Sequence, residues 1–81
     1  MSDKYITRRL EDIRLIKNEL QENKFDYALV VGHRLKGHGD TFGHLDLSEC
    51  GKNLEAAIKN NQFDEAKKLI AQFETLVLAK Q

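Results

Sequence analysis

The sequence predicts an all-α protein, folded as an antiparallel up-down-up-down four-helix bundle. Three observations lead there. Apolar residues recur at helical spacing in four separate stretches. The chain has no proline and no tryptophan, and aliphatic residues, Glu, Lys, Gln and Ala dominate, which favours helix. The links between stretches are short, at 22–24, 43–44 and 60–62, and short links make successive helices antiparallel.

The first helix is expected from about Lys4 to Glu22, with Ile6, Leu10, Ile13, Ile16 and Leu20 on its apolar stripe and Ser2 or Asp3 as cap. The second begins near Phe25-Asp26 and runs to about Phe42. Asp26 in its first turn suits the helix dipole, and Gly43 offers a left-handed stop. The third starts around Leu45-Asp46, carries Leu47, Cys50, Leu54, Ala57 and Ile58 inward, and ends at Lys59 before two asparagines. The fourth spans about Phe63 to Ala79, with Ala66, Leu69, Ile70, Phe73, Leu76 and Val77 inward. Asn23-Lys-Phe-Asp-Tyr-Ala28 is echoed by Asn61-Gln-Phe-Asp-Glu-Ala66. The remaining segments do not match, so the echo reads as shared turn chemistry rather than a helical repeat.

Eighty-one residues are expected to form one domain, 1–81, with a modest core. Thirteen basic residues balance thirteen acidic ones, which argues against a nucleic-acid binder. A single cysteine, Cys50, points to a reducing, cytoplasmic setting. No apolar run approaches a membrane span, and the N-terminus lacks a signal-peptide core.

His33-x-x-Lys36-Gly37 carries the candidate chemistry. Residues three and four apart share a helix face, so His33 gains a cation one turn on and an open position beside it. At about 100° per residue, Phe25, Ala28, Val31, Gly32, Leu35, Gly39 and Phe42 form the core side of the second helix. His33, Gly37 and Asp40 fall opposite, Lys36 lies at the margin, Val30 points outward and Leu29 sits at the edge. Gly32 and Gly39 admit a neighbouring helix. Gly37 faces out, where a glycine costs roughly 1 kcal/mol of helix propensity. It either serves an external partner or is a tolerated defect, and beside an exposed His and a Lys the first reading is favoured. Leu29, Val30 and Asp40 are therefore the expected docking residues around His33.

Other chemistries fit less well. Gly37-x-Gly39-x-x-x-Gly43 lacks the dinucleotide spacing, and no βαβ unit follows it. No ATP site is expected. His33, His38, His44 and Cys50 match no zinc module, and no metal or cofactor is expected on this chain. Cys50 reads as a small buried hydrophobe and His44 as a solvated helix-start residue.

With these residues in place, the chain resembles the histidine-containing phosphotransfer domains. The family pattern is a His, an apolar residue before a Lys-Gly three and four positions on, and a Gly ten positions past the His. His33, Leu35, Lys36, Gly37 and Gly43 match it. Leu47, Cys50, Leu54 and Glu55 fit the next family helix in order, and the likeness extends from about Tyr5 to Val77. His38 departs from the small residue usual after Lys-Gly, and the short extra N-terminal helix of many members is missing. The resemblance implies a phosphohistidine carrier of a multistep two-component phosphorelay, not an enzyme. His33 would accept phosphate from the phospho-aspartate of one receiver domain, or of a hybrid sensor kinase, and pass it to another. Magnesium would belong to the receiver. The expected chain is a monomer that binds neither nucleic acid nor membrane. The alternative is a helical adaptor without chemistry, which leaves outward-facing Gly37 beside His33 and Lys36 unexplained.

Overall fold

The computed structural model describes residues 4–81, so the expected Ser2 or Asp3 cap lies outside the described residues. Four helices follow in order, α1 (Lys4–Leu20), α2 (Asp26–His38), α3 (Leu45–Lys59) and α4 (Phe63–Leu78), with no strand among the described residues. They pack in a ring, α1 on α2, α2 on α3, α3 on α4 and α4 on α1, and the α2–α3 seam is the most extensive. Tyr5 of α1 meets His38 and Phe42 at the far end of α2. The Ser48 hydroxyl near the start of α3 donates to the Lys36 carbonyl near the end of α2. The Lys80 ammonium, just past α4, lies 3.0 Å from Asp46 at the start of α3. Successive helices therefore run antiparallel.

The same hydrogen-bond pattern closes all three connections. Asn23, Gly43 and Asn61 each adopt a left-handed backbone, with φ of 57°, 82° and 58°. Their N–H groups reach back three residues, to Leu20, Asp40 and Ile58, and the next N–H reaches back five, to Glu19, Gly39 and Ala57. This is the Schellman stop, which satisfies helix carbonyls that would otherwise be orphaned. Glycine and asparagine tolerate the left-handed region best. The two asparagine turns lie at one end of the bundle, and the phenylalanines that follow them, Phe25 and Phe63, pack with ring centroids 4.7 Å apart. The sequence echo is thus one turn design used twice.

The predicted stripes form the core. Ile6, Ile13 and Ile16 of α1, Ala28, Val31 and Leu35 of α2, Leu47, Cys50 and Leu54 of α3, and Phe73 and Val77 of α4 are buried together. Each large side chain so buried contributes roughly 1.5–3 kcal/mol. Leu10, Leu20 and Leu76 pack at the margin. The pattern did not anticipate the burial of Tyr5 or of three polar residues, Arg9, Asp12 and Glu55. Asp12 accepts a hydrogen bond from the Tyr27 hydroxyl at 2.6 Å. Its other oxygen lies 2.8 Å from Arg9 Nε, close enough for an ion pair though not aligned as a hydrogen bond. The Arg9 guanidinium covers the Tyr5 ring at 4.6 Å.

One stretch differs from expectation. α2 ends at His38 rather than near Phe42, because the chain already turns over 39–43. Phe42 consequently leaves the helical wheel. It is 58% exposed and stacks on Tyr5 instead of entering the core.

The close α2–α3 seam has a sequence cause. A Cβ on Gly32 would stand 3.0 Å from the Gly51 carbonyl, and one on Gly51 would overlap the Leu35 side chain. Two bare positions facing one another bring α3 near enough for its side chains to reach the outer face of α2.

Candidate functional site

His33 projects from the middle of α2 with 67% of its side chain exposed. Its backbone is fixed by Val31 and Leu35, which are buried on the opposite side of the helix. Gly37 is exposed one turn further on, and a Cβ there would meet no atom within 4 Å. Lys36 is also exposed. These three expected residues share one surface.

Glu55 organises them from below. Its side chain, rooted in α3, is only 7% exposed. One carboxylate oxygen, Oε2, lies 2.7 Å from His33 Nδ1, and the other, Oε1, lies 2.7 Å from Lys36 Nζ. Lys59, one turn further along α3, places its ammonium 3.4 Å from Oε2. The Lys36 ammonium, with help from His33 and Lys59, outweighs burial and holds the Glu55 carboxyl down at about 2. A buried carboxylate is tolerated only when it is paired in this way.

The arrangement fixes the state of the imidazole. An ionised carboxylate can only accept, so the proton of the His33–Glu55 contact sits on Nδ1. A neutral His33 then keeps its lone pair on Nε2, the ring nitrogen turned away from Glu55. The group is an oriented nucleophile at the surface, with a buried anion behind its other nitrogen and a lysine beside it.

Among the expected docking residues, Val30 is 42% exposed and Leu29 is partly buried against the core. Asp40 is exposed in the turn that follows α2, beyond the helical face that carries His33. The histidines do not converge. Tyr5 Oη lies 3.3 Å from His38 Nδ1, and the Tyr5 ring stacks on His44. His44 is half-buried and opens α3, so it is less solvated than expected. Burial lowers the His38 pKa, and the cations of Arg9 and then Arg34 lower it further. The Cys50 thiol is buried, donates weakly to the Leu69 carbonyl, and is pushed up to about 11, chiefly by burial. Among the described residues, no group of three or more His, Cys, Asp or Glu side chains is set to hold a metal ion. None of the described helices is long and apolar enough to cross a membrane.

The members of this cluster that the surface pattern does not reveal are Glu55, as the partner of His33, and Lys59. Glu55 stands one residue after the inward Leu54 on α3, and that adjacency to the apolar stripe was the available signal. No family model, curated protein or solved structure matches the chain.

Proposed function

We propose that this chain is a phosphoryl carrier of a two-component phosphorelay. It takes phosphate on His33 from the phospho-aspartate of a receiver domain and yields it to another receiver aspartate. One observation carries the reading: an exposed imidazole whose Nδ1–H is held by a buried carboxylate, beside a lysine and an outward glycine. Core packing requires none of these features.

The chemistry follows from that geometry. Nε2 attacks phosphorus and forms the N–P bond, while the P–O bond to the receiver aspartate breaks. The bonding pair leaves with the aspartate as a carboxylate. The imidazole keeps its Nδ1 proton and so gains a positive charge, which Glu55 offsets without moving. Lys36 supplies a mobile positive charge for the phosphoryl oxygens. Gly37 leaves room for the partner's loops, and Leu29 and Val30 offer it apolar contact. Return transfer is the same step reversed. Magnesium and the acidic pocket belong to the receiver. On this reading the chain works as a cytoplasmic monomer and neither binds ATP nor phosphorylates itself.

The test is incubation with a phosphorylated receiver domain, followed by mapping of the label. Label on His33, labile in acid and stable in base, supports the carrier. Label that persists in His33→Gln, or incorporation from ATP and magnesium alone, overturns it. Gly37→Leu should block transfer by bulk, and Val30→Asp should weaken receiver binding with little effect on melting temperature. A chain that binds receivers but never takes label is a helical adaptor.

A further inference from the structure

Lys59 presents an unusual charge balance. It lies outside the His33-Lys36-Gly37 pattern, yet its ammonium stands 3.4 Å from the very oxygen that receives His33 Nδ1–H. The buried Glu55 carboxylate therefore has two lysines where one would neutralise it. Lys36 makes the shorter contact, at 2.7 Å, and on the proposed function it is also the cation needed by the phosphoryl group. One ammonium cannot serve both anions fully. If Lys36 turned to the incoming phosphoryl oxygens with no substitute, while the imidazole of His33 is still neutral, Glu55 would lose its main counter-ion in a largely buried position, at considerable cost.

We infer that Lys59 is a positioning residue: it takes over as counter-ion of Glu55 and thereby releases Lys36 to the phosphoryl group. This role rests on the carrier reading. Lys59 acts through Glu55 and need not touch phosphate. Both lysines have long, largely exposed side chains, 45% for Lys36 and 62% for Lys59, so each can shift while its helix stays in place. Lys59 sits in the last turn of α3, where a cation also suits the helix dipole. A dipole role alone would leave the Glu55 carboxyl and the behaviour of Lys36 untouched, which gives the test its contrast.

The experiment uses the whole chain in four forms: unsubstituted, Lys36→Gln, Lys59→Gln, and both together, with Lys59→Arg as the conservative control. The first readout is the titration of the Glu55 carboxyl by NMR, which requires no phosphate donor. Lys59→Gln should raise its pKa, most clearly in the Lys36→Gln background, by about one unit as expected for loss of a close opposite charge. Lys59→Arg should leave it low. The second readout is the rate at which His33 is phosphorylated by phosphoramidate. Nε2 displaces the donor's nitrogen, which is already protonated to its ammonium form near neutral pH and leaves as ammonia with the P–N bonding pair. Lys59→Gln should slow this step about three- to tenfold when Lys36 is present and hardly at all when Lys36 is absent, because non-additivity marks action through a shared partner. Lys59→Arg should restore the rate. An unmoved Glu55 titration overturns the inference, as do rate effects that simply multiply. If Glu55 moves and His33 charges normally in Lys59→Gln, the inference fails while the carrier stands. If His33 of the unsubstituted chain takes no phosphate from either phosphoramidate or a phospho-receiver, the carrier reading fails and the role of Lys59 in transfer falls with it.

Discussion

His33 and His38 lie five residues apart on α2 and meet opposite surroundings. His33 is exposed, and the buried carboxylate of Glu55 holds its Nδ1. His38 is half-buried at the end of the bundle, edge-on to the stacked rings of Tyr5 and Phe42, with burial and then the cations of Arg9 and Arg34 depressing its pKa. One environment holds an imidazole by its Nδ1 and leaves Nε2 turned away from the anchor, as the proposed transfer requires. The other encloses an imidazole and resists its protonation. The difference does not come from the residues beside each histidine in the chain, since both stand near arginine, glycine and lysine. It comes chiefly from what the neighbouring helices bring. α3 supplies an anion to His33, and α1 supplies a ring and a cation to His38.

The comparison is broken most directly by exchanging the fates of the two histidines. His33→Gln should abolish phosphoryl uptake, and His38→Gln should retain it, measured by label after incubation with a phospho-receiver. Retained uptake in His33→Gln would mean that the wrong histidine carries the chemistry.

Glu55→Ala removes the anchor and leaves His33 in place. Its charge-assisted hydrogen bond is worth about 1.5–3 kcal/mol, so uptake should slow on the order of tenfold or more. Glu55→Gln should slow it less, since the amide oxygen still accepts from Nδ1–H. Equal rates in all three proteins would reduce Glu55 to a packing residue.

The seam that joins α3 to the His33 face can be tested at its glycines. Gly51→Ala forces a Cβ into Leu35 and should destabilise the fold by about 1–3 kcal/mol, read from denaturant unfolding. Gly37→Ala, with open space around it, should stabilise the helix by up to roughly 1 kcal/mol. Equal shifts in the two would contradict the close seam.

Acid unfolding separates the two environments by pH window. The folded His38 pKa lies below its ordinary 6.5, so the unfolded chain takes that proton more readily. Stability from neutral His38 is complete above about pH 6.5 and declines as pH falls through that value. Glu55 is depressed from 4.5 to about 2, so its contribution is full above pH 4.5 and is lost as pH falls toward 2. His38→Gln should flatten the upper part of the stability profile and Glu55→Gln the lower part. The smallest expected effect is that of Phe42→Ala, which removes an exposed ring stacked on Tyr5. It should cost about 0.5–1.5 kcal/mol and leave transfer from His33 unchanged.

Much of this molecule follows from local chemistry. Helical spacing is enough to sort the apolar stripes, because a buried face must recur every 3.6 residues. The same wheel turns His33, Gly37 and Val30 outward once Val31 and Leu35 are inward. Gly43 marks its turn because a left-handed residue is required there. Phe42 escapes that logic, since a wheel carried past the end of α2 has no helix to describe. Gly51 and Glu55 escape it for a different reason. Both sit on the α3 side of a contact whose other half is some twenty residues away, and nothing beside them in the chain says what they will face. Glu55 has the charge of a solvated residue, and only the approach of α3 to α2 turns it into the buried partner of His33, Lys36 and Lys59. Periodicity is a property of each helix alone, whereas an ion cluster depends on the distance and register between two helices, and those are set only when the bundle packs.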